Sequence, residues 1–236
     1  MLKNAKLQTK LLTIGVFMTV TPLVVISAVV FVQNGRMVNV AEQGSTELAY
    51  ADLDHIALNI YGMCRAQQQM LQANVNASLN VARDIMRDAG PVRFDTEEKV
   101  TWEAVNQYTK ASQRVELPRM IVGDTWLGKV SNMTETVPVV DEMQNLVGGT
   151  CTVFQRMNNA GDMLRVCTNV QKLDGSRAIA TYIPRTDPDG KPNPVITDVL
   201  QGQTYQGRAY VVNQWYITAY EPIFDAANKV VGMLYV

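Results

Sequence analysis

Histidine is nearly absent from this sequence: His55 is the only one, and the cysteines number three, Cys64, Cys151 and Cys167. One histidine cannot build a multi-histidine metal site within a chain, and it points to no histidine-dependent triad. The cysteines form no C-x-x-C pair, so nothing supports a zinc ribbon or a c-type haem attachment. There is no nucleophile elbow, no H-E-x-x-H, no P-loop and no G-x-G-x-x-G, and neither enzymatic chemistry, a metal nor a cofactor is expected. Neither sign of charge is in excess, with Lys+Arg 21 against Asp+Glu 22. No basic stripe forms, so nucleic acid is not an expected partner.

Charge is missing altogether from residues 11–32, LLTIGVFMTVTPLVVISAVVFV. That run matches the ~20 apolar residues that a membrane-crossing helix needs. Lys3, Lys6 and Lys10 precede it. By the positive-inside rule they hold residues 1–10 in the cytoplasm and send the rest of the chain out. The apolar core of a cleaved signal peptide runs about 7–15 residues and ends at an A-x-A-like site. This run is longer and no such site follows, so an uncleaved membrane anchor is the reading. Pro22 sits mid-span, where a kink is expected.

Proline is missing from residues 35–89. Positions 53, 56, 60, 63, 67, 71, 74, 78, 82 and 85 recur in steps of three and four, a helical period, although Gln67, Asn74 and Ser78 weaken the stripe. A single helix over this stretch runs about 80 Å at 1.5 Å per residue. That is too long for a domain of this size to bury, so the helix reads as a stalk that then packs on the folded domain after it, with its exposed part free to pair with a second copy. The alternative is a break at Gly62. Gly90-Pro91 ends the helix. Asp52, Asp54 and His55 lie close together and read as a solvated helix face rather than a metal site.

After an irregular segment, the texture changes near Thr150. CTVFQRM and MLRVCTNV flank Asn158-Asn159-Ala160-Gly161-Asp162, a hairpin signal. Residues 177–183 form a third strand, and Asp187-Pro188-Asp189-Gly190 marks a turn that lacks the downstream glutamate of a calcium loop. Residues 194–200 suit a short helix or turn. GRAYVV, WYITAYEP and VVGMLYV are three more strands, with residues 225–228 as the last turn. A long helix followed by runs of strands indicates an α+β fold, a curved antiparallel sheet with the helix across one face.

The stretches GGTCTVFQRMNNAGDMLRVCTNV, DGSRAIATYIP, NPVITDVL, GQTYQGRAYVVNQWYITAYEPI and VVGMLYV, with VNQYT and LPRMIVGDTWLG before them, resemble the extracellular Cache sensor domain. The form resembled is the Cache 3/Cache 2 fusion found in methyl-accepting chemotaxis proteins. The resemblance covers residues 41–236 and is strongest after Gly148. It implies a PAS-like sheet in residues 91–236, behind a long helix over residues 33–90, with a small-molecule pocket on the concave face. It also implies a second membrane helix, a HAMP linker and a signalling coiled coil after Val236, so the sequence reads as one half of a receptor. A sensor of this kind can equally front a histidine kinase or a cyclic-dinucleotide enzyme, or act as a membrane-tethered ligand-binding module. Cys151 and Cys167 depart from the small residues that the resemblance leads one to expect, and Ala180 from a glycine.

A pocket on a sheet draws on alternate residues of one face. Tyr216, Thr218 and Tyr220 share a face, as do Arg208 and Tyr210; Arg165 and Arg177 fall on strands expected to be neighbours. Aromatics with an arginine suit a small carboxylate, which guanidinium grips with two bonds. The expected ligand-binding set is Arg208, Tyr210, Tyr216, Tyr220 and Phe154, with Trp126 as a lid. A hairpin centred on Asn159 sets Cys151 opposite Cys167. A disulfide there would contribute about 3 kcal/mol in an oxidising compartment, and a register change of one residue defeats it. Cys64, on the helix, reads as a small buried residue.

Overall fold

The computed structural model describes residues 7–236, so Lys3 and Lys6 of the expected positive flank lie outside the described residues. The chain divides into two compact units after Arg65. One element belongs to both: α1 is a single helix from Leu7 to Ala89 that continues through Pro22 and through Gly62 without a break. Its N-terminal part is long and apolar enough to cross a membrane. Phe17, Ile26 and Phe31 there are exposed, as are Ile56, Ile60 and Met63 further along. Cys64 is exposed as well, not buried.

In the second unit, α1 buries Leu79, Ala82 and Met86, with Val75 and Ile85 packed against them. The buried stripe therefore passes through positions 75, 79, 82 and 86. Leu71 and Asn74 stay exposed and Ser78 is half-buried. Placing Leu79 and Met86 inward removes more apolar surface than the polar members of the expected stripe could, at about 1.5–3 kcal/mol for each large side chain.

Beyond α1 come β1 (Val92–Asn106), β2 (Ser112–Val122), β3 (Thr125–Trp126), α2 (Val140–Val147), β4 (Thr152–Arg156), β5 (Met163–Thr168), β6 (Thr181–Ile183), α3 (Pro194–Leu200), β7 (Tyr205–Val211), β8 (Gln214–Phe224) and β9 (Val230–Tyr235). The nine strands form one sheet in the order β3-β2-β1-β6-β5-β4-β9-β8-β7. All pairings are antiparallel except β1 with β6. The segment expected to be irregular thus holds β1 to β3 and α2. β1 and β2 carry many charges because most of their side chains are exposed or half-buried. Pro118 sits inside β2 opposite Lys99, at a register shift in β1, where a missing N–H is tolerated.

The third expected strand begins late. Ala180 adopts φ 62, in the left-handed region, so only residues 181–183 extend into β6. The helix exit is fixed by close approach. A Cβ on Gly123 (φ 60) would lie 1.9 Å from the Ala89 carbonyl oxygen, so the β2–β3 turn sits directly against the end of α1.

Each face of the sheet has its own core. One gathers Leu79, Met86, Trp102, Met143, Cys151 and Leu234 beneath α1 and α2. The other gathers Phe154, Met163, Ile183, Val195, Ile196, Tyr220 and Tyr235 beneath α3. α3 starts at Pro194 behind Asn193, whose side chain accepts from the Ile196 N–H at 3.2 Å, a helix-capping bond.

Candidate ligand-binding site

β5 is buried along its whole length, yet its third residue is an arginine. Arg165 is 1% exposed and faces the core beneath α3. It stands opposite Phe154 on β4, and its guanidinium lies 5.0 Å from the centre of that ring. Nη1 donates to the Thr181 hydroxyl, whereas Nε and Nη2 have no partner. The hydroxyl of Tyr220, also fully buried, is unpartnered too.

Burial lowers the proton affinity of Arg165, and the nearby hydroxyls of Tyr220 and Tyr235 act the other way. Guanidinium stays charged regardless. Burial raises the Tyr220 phenol well above its ordinary value, so it remains a neutral donor. A buried cation with open donors beside an open hydroxyl is costly unless something accepts from them. A carboxylate fits that need, since its oxygens accept from guanidinium and hydroxyl together.

Tyr220 also borders a small cavity of about 40 Å³. Its wall includes Gln107, Tyr108, Asp187, Asn193 and Tyr210. Tyr108 stacks on Tyr210 at 5.7 Å. Asn193 Nδ2 donates to Asp187 at 2.7 Å and to the Tyr108 hydroxyl at 3.2 Å. Burial, then the Asp187 carboxylate, pushes the Tyr108 phenol up to about 12. A larger hollow of about 550 Å³ shares Gln107 and Tyr210 and is walled by Val105, Ile179, Thr181 and Val212. Its size lies within the range of small-molecule pockets.

The family model of the Cache 3/Cache 2 fusion domain matches residues 38–236. The chain belongs to this family. Cache domains are extracellular small-molecule sensing modules. No curated protein matches the chain.

Within this Cache domain the expected set divides. Phe154 and Tyr220 are fully buried around Arg165, and Tyr210 is half-buried in the cavity wall. Arg208 reaches that cavity from an exposed position on the edge strand β7, with its guanidinium 5.6 Å from the Trp215 ring. Tyr216 is 41% exposed and lies off the cavity wall. Trp126, expected as a lid, lines neither cavity: it lies on β3, the sheet edge opposite β7, with Arg119 over its ring at 4.7 Å.

Sequence reasoning placed Arg165 on the right strand and chose Arg208 as the anchor. It missed Gln107, Tyr108, Asp187 and Asn193, which come from the ends of other elements. The cysteines are corrected as well. Cys167 stands opposite Val153, and Cys151 accepts from the Asn169 N–H at 3.2 Å. A register shift after Val153 moves the pairing, and both thiols are free.

Proposed function

We propose that the chain is the sensing half of a bacterial transmembrane chemoreceptor of the methyl-accepting type, and that it detects a small carboxylate held by Arg165. Residues 11–32 serve as the membrane anchor behind a short cytoplasmic N-terminus. Residues 33–90 form the stalk through which two copies pair, and residues 91–236 form the sensor outside the cell membrane. The reading takes the chain as a sensor and not as an enzyme. The observation that carries it is the buried guanidinium with two unpartnered nitrogens beside the unpartnered Tyr220 hydroxyl, in a sensing-domain fold.

The same strand offers a route for the signal. Tyr220 and Glu221 are neighbours on β8, so their side chains leave opposite faces of the sheet. Tyr220 meets the site, while Glu221 receives Nε and Nη2 of Arg83 on α1, the former at 2.7 Å. A ligand that draws Tyr220 toward its carboxylate shifts β8 against α1. The shift is set by the ligand's differential affinity for the two arrangements.

The test is thermal unfolding of the full chain in detergent micelles against small carboxylates, amino acids, amines and purines. A concentration-dependent rise in Tm with carboxylate-bearing compounds is expected. Arg165→Gln should abolish it, and Arg165→Lys, which keeps the charge without the two-pronged grip, should weaken it. A rise produced only by compounds without a carboxylate, or one that survives in Arg165→Gln, overturns the reading.

A further inference from the structure

β1 and β2 form a two-stranded ribbon for most of their length, because β3 pairs only with Ile121 and Val122 and β6 only with Val105 and Asn106. A ribbon of two strands is marginal without further pairing, and β2 leaves its outer edge open over residues 112–117. The sense of that edge follows from the turn before it. The Asn106 N–H donates to the Ala111 carbonyl at 2.9 Å, so Ala111 points at β1. Alternation then turns the backbone groups of Ser112, Arg114 and Glu116 away from β1. Among the described residues, no backbone group bonds to them. The open stretch also has a built end. Pro118 has no N–H, and its carbonyl accepts from Gln155 Nε2 at 3.0 Å.

The side chains along this edge say what fits it. Arg114 and Glu116 are exposed on one face. Neither has an ion-pair partner among the described residues. A row of lysines blunts an edge by repelling a second copy. Here the two charges are opposite and lie two residues apart, so the edge complements itself. Two antiparallel copies of β2, related by a two-fold axis at Val115, set Arg114 of each opposite Glu116 of the other. Both residues are outward on both strands, so each such pair exchanges its two backbone hydrogen bonds. A slip of one residue faces outward groups with inward ones. The next register on either side sets Arg114 opposite Arg114 or Glu116 opposite Glu116, and like charges directly opposite destabilise a sheet. Within each copy, Glu103 lies opposite Arg114 and Thr101 opposite Glu116. A row across the joined ribbons then reads Glu103, Arg114, Glu116, Thr101, with its charges alternating.

We propose that the open edge of β2 pairs with β2 of a second copy of this chain, joining two ribbons into one four-stranded sheet. The pairing is independent of the carboxylate reading of Arg165.

The experiment follows disulfide formation in the full chain in micelles, with Cys64→Ser in every variant so that the exposed native thiol cannot link. Val115→Cys lies on the axis, where opposed Cα atoms stand about 4.5 Å apart, within disulfide reach. Ser112→Cys, on the same edge, faces position 118 of the second copy and lies roughly 20 Å from its own counterpart. Under mild oxidation, a non-reducing gel should show linked dimer from Val115→Cys at about tenfold or more the yield from Ser112→Cys. Adding Arg114→Glu to Val115→Cys sets Glu opposite Glu and should cut that yield about threefold or more. Adding Glu116→Arg as well exchanges the two charges and should restore it. Glu116→Pro removes an outward N–H without touching the ladder to β1, and it should cut the yield too. An unchanged Tm in these variants shows that the ribbon itself is intact. A yield from Val115→Cys no higher than from Ser112→Cys overturns the pairing. So does a yield indifferent to either Arg114→Glu or Glu116→Pro, or a charge exchange that fails to restore it.

Discussion

Arg177 holds both oxygens of Asp141, Nη1 to Oδ1 at 2.8 Å and Nη2 to Oδ2 at 2.7 Å. Its other donors reach the carbonyls of Asn132, Glu135 and Thr168, so this arginine, 1% exposed, leaves none of its nitrogens open. The pair ties α2 and the loop before it to the strand region. Removing the carboxylate leaves a buried charge without its counterion. Asp141→Ala should therefore destabilise the sensor by about 3–5 kcal/mol, read as a fall in Tm of the full chain. Arg165, equally buried, has two open nitrogens, so Arg165→Met should cost far less, and a loss as large as that of Asp141→Ala would count against its role as a ligand anchor.

Ala180 is in the left-handed region, φ 62. A non-glycine residue there costs about 1–2 kcal/mol, against about 0.5–1 kcal/mol for the extra freedom of glycine in the unfolded chain. Ala180→Gly should raise Tm by a few degrees, about 2–4 °C for a gain of about 1 kcal/mol. An unchanged or lower Tm would show that the Ala180 methyl, which packs against the core beneath α1, matters more than the strain.

The three cysteines differ in access. Cys64 is exposed, while Cys151 and Cys167 are buried at 0% and 2%. Burial raises both buried thiols, which removes the reactive thiolate. A maleimide reagent should label the native chain at Cys64 alone and all three after unfolding, as counted by mass spectrometry.

Alkaline pH should weaken the fold by the same cause. A thiol in an unfolded chain ionises near about 8.5, whereas burial pushes Cys151 up to about 12. Tyr108 is also raised to about 12 by burial and the Asp187 carboxylate. Above the unfolded values the folded chain holds protons that the unfolded chain releases. The stabilisation is therefore full below about pH 8.5 and is lost as pH rises toward the folded values. Tm should be flat over about pH 6–8 and decline above about pH 9, and Cys151→Ala should flatten the first part of that decline.

Much of this fold was legible in periodicity. The long helix, the β4–β5 hairpin, α3 and the last three strands follow from apolar spacing and from turns such as Gly161 and Asn228, which do adopt positive φ. β1 and β2 escaped because their exposed residues carry charge in place of the apolar alternation of a buried strand. α2 escaped because its N-cap, Val139 at φ 69, supplies no side-chain cap bond. Arg165 was in view inside MLRVCT, on a strand expected to neighbour that of Arg177, but its burial was not read; Arg208 was preferred because it lies among aromatics. Gln107, Asp187 and Asn193 left no local signal, since they meet only through the crossing of β1 past β6 and the loop before α3.

The parallel junction of β1 and β6 has a mechanical meaning. β6 is three residues long, and only Val105–Thr181 and Asn106–Tyr182 pair across it. On one side lies the leaf of β1 to β3, on the other the leaf of β4, β5 and β7 to β9. The sheet is therefore two leaves joined by a narrow suture, and Gln107 and Arg165 sit on its two margins. Motion of one leaf against the other therefore has to pass through these few pairs. If the leaves part, the amide protons of residues 105–107 and 181–183 should be the first in the sheet to exchange with solvent.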